Sequence, residues 1–362
     1  MRRVSPEALL DATTELLEAF GMDEPEAASV AASLVSAEIR GHNSHGVIRL
    51  STLYRAMIEE GSIDPKATPT VERHSPSIVS VDGNRAFGQL TGDYIVDAGI
   101  EGAEEAGVSV VGVRGGCHLG RIGEWAERAA EEGYVTLGFA NSGGTSRTVT
   151  VPGSADRLFA TNPITVGIPT FEELEFPIVL DMATSQVAHG KITKLAVDEE
   201  TVPEAWTVTE TGGHVEDAVA FEEGEGALSP LGGQASGRKG YGLAFCTEIF
   251  AGIVGRGEVI GQDENDYVNN AGMFVFVDPL RFSSKGEIEE VIRTVHEQIR
   301  NADYPEAVET GYATKGERAL LPGEPEHRTR LEYEREGIPL TDGAVEALTD
   351  LAEDHGVETP LF

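Results

Sequence analysis

Residues 41–49, Gly41-His42-Asn43-Ser44-His45-Gly46-Val47-Ile48-Arg49, put two imidazoles, an amide, a hydroxyl and a guanidinium between two helical patterns. A core helix has no use for that many polar groups. His45 can titrate near neutrality and carry a proton. Ser44 can bond to it, and Arg49 can grip a carboxylate through two parallel hydrogen bonds. If Val47 opens a helix, Arg49 lies one turn beyond His45 on the same side. Such a set suits a small oxo- or hydroxy-acid. The plainer reading is a helix junction with capping polar groups.

Three further positions bear on chemistry. His118 lies in the turn Gly115-Gly116-Cys117-His118-Leu119-Gly120, between a strand and a helix. Backbone N–H groups at helix starts bind anions, so this turn could meet a cofactor phosphate, or His118 the oxygen of the reacting carbon. The other reading is a surface histidine in a tight turn. Asp181 ends the apolar strand Phe176–Leu180, where an acid can orient a histidine or cap the helix that follows. Lys239, among glycines at another helix start, could meet a phosphate or simply be solvated.

Several familiar signatures are excluded. Gly255-Arg256-Gly257-Glu258-Val259-Ile260-Gly261 imitates a dinucleotide glycine fingerprint but follows a helix and opens none. There is no Walker A sequence, HExxH or GxSxG elbow. His42 and His45 find no carboxylate set, so no metal is expected.

The elements that must position these groups can be read in order. Ser5-Pro6-Glu7 starts a helix ended by Gly21; Pro25 opens a second, stopped by Gly41; a third is expected from Val47 to Glu60. From Ile78 the pattern alternates: a strand at 78–81, a helix over 92–106, a strand at 108–113, a helix carrying Trp125, and a strand over 134–140. This is an α/β region. Polar, Gly-rich residues 141–152 leave a strand end, where ligands commonly bind. Strands are expected at 164–168 and 177–181, and a helix capped by 182–185 and reaching Leu195. Residues 197–236 read as an excursion. Further on come an apolar helix over 243–254, a strand at 273–277, an amphipathic helix over 287–300, a basic patch at Arg328-Thr329-Arg330 and a last helix near 341–353.

Composition narrows the class. The 362 residues are 40% hydrophobic, enough for a folded core. With 62 acidic against 27 basic residues, the net charge is −35. Nucleic acid and anionic membranes should repel such a surface. The only lysines are Lys66, Lys191, Lys194, Lys239, Lys285 and Lys315. Glu-rich, Lys-poor composition at this charge suggests a halophilic protein, its self-repulsion screened by salt. Cys117 and Cys246 offer neither a disulfide framework nor zinc spacing. No apolar run reaches about 18 residues and no apolar signal core opens the chain, so a soluble, cytoplasmic protein is expected.

Six ordered blocks together resemble the malate/L-lactate dehydrogenase family that also holds L-sulfolactate, ureidoglycolate and diketogulonate enzymes. They are Arg40–Val47, Gly115–Gly120, Leu158-Phe159-Ala160-Thr161-Asn162-Pro163, Leu180–Ser185 with Gly190-Lys191, Arg238–Leu243, and Leu321-Pro322-Gly323-Glu324 with Gly337-Ile338-Pro339-Leu340. Asn43 departs from the Asp usual there. The resemblance implies an α/β fold with a non-Rossmann nicotinamide-binding sheet domain (residues 73–302). A small helical domain (1–72, joined by 303–362) completes it. It implies hydride transfer between NAD, or NADP, and a small 2-hydroxy acid/2-oxo acid pair, malate or lactate foremost, in a homodimer or dimer of dimers. Cyclic imino-acid reduction is the enzymatic alternative; a non-catalytic ligand-binding protein is the other. His45 would carry the proton, oriented by Ser44 and Asp181, with Arg49 on the substrate carboxylate; other members give the base to the residue matching His118. The cofactor would touch His118, Leu119, Gly120, Ser142, Thr161, Asp181, Met182, Ala183 and Lys239.

Overall fold

The structure, a computed structural model, describes residues 2–143, 147–197, 200–262, 268–308 and 317–357. Its first part is β1 (Arg2–Val4), α1 (Pro6–Ala19), α2 (Glu24–Ile39) and α3 (Arg55–Glu59). Then come β2 (Thr70–Ser75), β3 (Ile78–Asp82), α4 (Gly88–Ala106), β4 (Val108–Arg114), α5 (Ile122–Glu131), β5 (Val135–Asn141), β6 (Ile164–Ile168), β7 (Ile178–Met182) and α6 (His189–Val197). The excursion holds β8 (Thr207–Val208), α7 (Ala218–Glu222), β9 (Ala227–Leu228) and α8 (Gly233–Ser236). The chain continues through α9 (Arg238–Phe250), β10 (Ala271–Val277), α10 (Lys285–Arg300), α11 (Glu324–Glu336), β11 (Ile338–Leu340) and α12 (Asp342–Asp354).

Seven strands form one mixed sheet in the order β2-β3-β4-β10-β5-β6-β7. Only β3 and β4 pair in parallel; every other neighbour is antiparallel. β10, far along the chain, is the central strand, and its alternating Phe274 and Phe276 are fully buried. The register gathers several chain ends at one end of the sheet. Asp82 lies beside Arg114, Val113 beside Gly272, Ala271 beside Asn141, Phe139 beside Ile164, and Ile164 beside Met182. The turn after β4, the exits of β5 and β7 and the approach to β6 therefore share that end. Helices α4 and α5 cover one face through Ile95, Val96, Trp125 and Ala129, which share a core with Val79, Val111 and Phe274.

A second core joins the two chain ends. Leu9, Leu16, Leu17, Leu34 and Leu50 pack with Ile338, Leu340, Leu348 and Leu351. β1 pairs antiparallel with β11. Ser5 caps α1 by accepting from Ala8 N–H, and Pro6 fills its first turn. The excursion has its own small core of Val202, Val215, Phe221 and Leu228 against Val149, Phe159 and Ile192.

Several local readings need correction. Residues 43–45 form a single 3-10 turn, and the third helix begins only at Leu50, with a π turn over 50–54 before α3. The helix after β7 begins at His189, not at 182–185. α9 already includes Arg238 and Lys239, and Lys239 is exposed in its first turn. Of the apolar face of α10 only Ile292 is buried, while Val291 and Val295 face outward. Arg328 and Arg330 form no free basic patch: they lie on α11, paired with Glu324 and Glu334 one turn away. β2 was unforeseen because it is an edge strand with almost every residue exposed.

Candidate active site

The 3-10 turn at Asn43–His45 rests on a buried acid. Glu38, near the end of α2, is almost fully buried beneath it. One carboxyl oxygen accepts from Val47 N–H at 3.1 Å and the other from the Asn43 amide. A Cβ on Gly46 would fall 2.1 Å from the Glu38 carboxyl, so the turn needs glycine there. Burial pushes Glu38 up to about 7, against the pull of the Asn43 and Val47 hydrogen bonds. Asn43 is therefore no idle departure from Asp: its amide donates, where a second carboxylate would repel.

Above this base, Ser44 Oγ lies 3.0 Å from His45 Nδ1. Arg49 Nε donates to the Ser44 carbonyl at 2.5 Å. Gly190, in the first turn of α6, closes on the pair: a Cβ there would stand 3.0 Å from Ser44 Cβ and 3.9 Å from Arg49 Nη2. His45 stacks on His118, with ring centroids 5.7 Å apart and planes 15° from parallel. Burial first, then the Arg49, His42 and Arg121 charges, pulls the His45 imidazole down to about 3. His118 is lowered well below its ordinary value by burial, Arg49 and His45. Both rings are neutral at physiological pH.

His118 is held by residues that sequence reasoning did not single out. Asn270 locks its turn: Gly116 N–H donates to the Asn270 carbonyl, Asn270 N–H to the Cys117 carbonyl, and Leu119 N–H to Asn270 Oδ1 at 2.8 Å. A Cβ on Gly88 would fall 1.9 Å from the His118 carbonyl oxygen, so α4 can start beside this turn only with glycine. Tyr54, fully buried, sits with its hydroxyl 2.8 Å from His118 Nδ1 and receives a hydrogen bond from Gln89 Nε2 at 2.6 Å.

Arg49 is half-buried, and among the described residues it has no carboxylate partner. That is unusual in a chain with 62 acidic residues. Arg121 is the contrast: it is buried and ion-paired to Glu127, which Arg40 also holds. A guanidinium without a carboxylate partner, beside two imidazoles lowered by burial, is chemically able to receive an anion.

Asp181 stands apart from the histidine pair. Its carboxylate accepts from Gly123 N–H at 2.8 Å and lies near Arg121 and His42; burial raises its pKa despite Arg121. It caps α5, reached across the fold, and not the helix that follows it in sequence. Among the described residues it makes no hydrogen bond to His45. Leu119 and Gly120 are buried in the turn after β4, Ser142 follows β5, the Thr161 carbonyl accepts twice from Thr184 before β6, and Met182 and Ala183 leave β7. These positions share the end of the sheet that carries His118. Lys239 is exposed in the first turn of α9.

The chain matches the malate/L-lactate dehydrogenase family over residues 4–349. It belongs to that family. Malate dehydrogenase of Pyrococcus horikoshii is 32% identical over 98% of this chain and 96% of that protein. The crystal structure of malate dehydrogenase from Entamoeba histolytica matches with a TM-score of 0.90 at 26% identity, covering 99% of both chains. The Δ1-piperideine-2-carboxylate reductase of Pseudomonas syringae matches with a TM-score of 0.79 at 27% identity, over 97% of this chain and 100% of that one. Family membership supports an oxidoreductase. Among the described residues no helix is long and apolar enough to cross a membrane.

Proposed function

We propose that the chain transfers a hydride between a nicotinamide cofactor and a small 2-hydroxy acid/2-oxo acid pair, malate or lactate foremost. The observation that carries this is Arg49, a half-buried guanidinium without a carboxylate partner among the described residues, beside His45. In the oxidation, Arg49 holds the substrate carboxylate through two hydrogen bonds. His45, neutral because it is buried beside Arg49, takes the hydroxyl proton as the C2–H bond gives up its hydride and the C=O bond forms. Ser44, able to donate or accept, follows the change at His45 Nδ1. A carboxylate on Arg49 also offsets the charge that lowers His45, so the imidazolium forms more readily with the acid bound than without it.

The residues at the sheet end fit a nicotinamide cofactor. Among the described residues Asn269 Oδ1 is buried there without a partner, while Asn269 N–H donates to the Ser142 carbonyl. That unmet acceptor suits the N–H of a ligand. His118, Leu119, Gly120, Ser142, Thr161, Asp181, Met182 and Ala183 would line the cofactor, with Lys239 reaching it from α9. The bound nicotinamide supplies the hydride acceptor and donor. NAD is the favoured form, with NADP the alternative.

In this reading the helical unit of residues 1–72 and 303–362 brings base and clamp to the sheet unit of residues 73–302. The apolar residues left exposed on α9 and α10, among them Phe245, Ile249, Val291 and Val295, support burial against a second copy. The acidic, Lys-poor composition supports work in high salt.

Likeness to the piperideine-carboxylate reductase favours a second reading, reduction of a cyclic imino acid, whose carboxylate Arg49 would hold in the same way. One experiment separates the cases: reduced-nicotinamide absorbance with NAD(H) and NADP(H) against 2-oxo acids, 2-hydroxy acids and cyclic imino acids in molar salt. Turnover of oxo acids supports the dehydrogenase. Turnover of imino acids alone supports the reductase, and an inert panel supports a ligand-binding protein.

A further inference from the structure

Resting on the dehydrogenase reading, we propose that Tyr54 is a positioning residue: oriented by Gln89, its phenol fixes His118 as the tautomer protonated at Nε2, making His118 a hydrogen-bond donor and leaving His45 as the proton carrier.

The argument starts from donor counting. Gln89 Nε2 donates to the Tyr54 oxygen. Among the described residues the buried Tyr54 O–H finds its acceptor in His118 Nδ1, 2.8 Å away. A donor at Nδ1 would leave that O–H orphaned. A neutral imidazole that accepts at Nδ1 carries its proton at Nε2. The opposite chain would need the Gln89 amide turned over. Gln89 Oε1 is buried and has no partner among the described residues. Turning the amide would set an NH2 group in that position, leaving buried donors unmet. Under-satisfied acceptors are tolerated better than orphaned donors, so the direction stands.

The two stacked rings are thereby made unlike. His45 Nδ1 faces the Ser44 hydroxyl, a rotor that donates or accepts as required. His45 can gain and lose a proton with no lost hydrogen bond. Protonating His118 at Nδ1 would set an N–H against a phenol whose oxygen already accepts from Gln89 and whose own hydrogen points at the ring. Tyr54 will not readily ionise to receive it, for burial pushes the phenol up to about 12. His118 therefore keeps one proton, at Nε2, throughout the cycle. In the active site that N–H steadies the substrate oxygen as it turns from hydroxyl to carbonyl, while the proton in transit rests on His45.

The test is nitrogen NMR of the full-length protein labelled at histidine, in high salt, with the His118 signals assigned by loss in His118→Gln. The expected wild-type result is a neutral His118 with Nε2 protonated and Nδ1 bare. Tyr54→Phe keeps the ring but loses the hydroxyl, and Gln89→Leu frees the phenol to rotate; each should give a mixture of tautomers. Kinetically, Tyr54→Phe should lower kcat about tenfold, keep KM for the acid within about twofold, and add a second titration to the acid limb of the pH profile. A wild-type His118 protonated at Nδ1 would overturn the proposal, as would a His118 signal unmoved in both variants. A protein inert toward all acids but with the expected tautomers would instead remove the dehydrogenase reading and leave the hydrogen-bond chain standing.

Discussion

The rings of His45 and His118 lie 5.7 Å apart and 15° from parallel, although one belongs to a turn among the N-terminal helices and the other to the turn after β4. Their stacking joins the turn among the N-terminal helices to the end of the sheet that carries the turn after β4. Both are half-buried, both are lowered by desolvation and by Arg49, and their Nδ1 atoms have different hydroxyl partners.

With His45 as the proposed base, its lowered titration should set the pH dependence of catalysis. An ordinary imidazole base is lost as pH falls through 6.5, whereas His45 stays neutral to about 3 in the free protein. The acid limb of kcat/KM for 2-hydroxy-acid oxidation should therefore lie well below pH 6, above which the base is fully available. A pH–rate series on the free-enzyme parameter measures this. A limb at 6–7 would mean that neither burial nor Arg49 governs His45.

Glu38 should shape stability with pH. Its folded value is raised from 4.5 to about 7, so its proton favours the folded state. That contribution is complete below pH 4.5 and is lost as pH rises through about 7, on the order of 3 kcal/mol. Glu38→Gln carries an amide that Asn43 can meet by turning its own, so it should fold. Denaturant titrations from pH 4.5 to 8 should show a flatter stability profile than wild type. Part of the slope remains, because burial also raises Glu124 to about 7. A variant that follows the wild-type profile would argue that Glu38 is ionised throughout.

Gly88→Ala should displace His118. The added methyl meets the His118 carbonyl, a backbone atom that cannot swing aside. The expected cost is about 3 kcal/mol of stability, with a large fall in kcat. Gly242→Ala is the control: nothing lies within 4 Å of its Cβ, and alanine suits the middle of α9 better than glycine. Thermal melts and kinetics on both variants decide the matter. Equal behaviour would mean that the close approach of α4 to the 118 turn has no consequence.

Charge predicts a salt requirement. At −35, unscreened repulsion in dilute buffer should lower the melting temperature and the activity relative to molar salt, where the Debye length is about 3 Å. Melting scans from dilute buffer to molar potassium chloride test this; a flat response would remove the halophilic reading.

The helices and the apolar strands could be read from periodicity and caps, and Ser44, His45 and Arg49 from a polar motif that no core helix would carry. Tyr54 and Gln89 could not. Each sits in a helical stretch at a buried position, where it reads as core, and the meaning of its polar atom depends on residue 118 lying opposite. Asp181 was misdirected for a similar reason. The groups it could cap in sequence are visible, while Gly123, which it does cap, becomes its neighbour only when α5 packs on β7. The place of β10 between β4 and β5 was hidden too, since strand order in a mixed sheet is not written in local pattern.

The most direct test is to separate kcat from KM in His45→Ala and Arg49→Ala with the best oxo acid and reduced nicotinamide in molar salt. The account predicts a fall in kcat of roughly 10²- to 10⁴-fold for His45→Ala. For Arg49→Ala it predicts a KM for the acid raised about 10- to 100-fold, the worth of one charged hydrogen-bonded contact. Unchanged kinetics in both variants would contradict it.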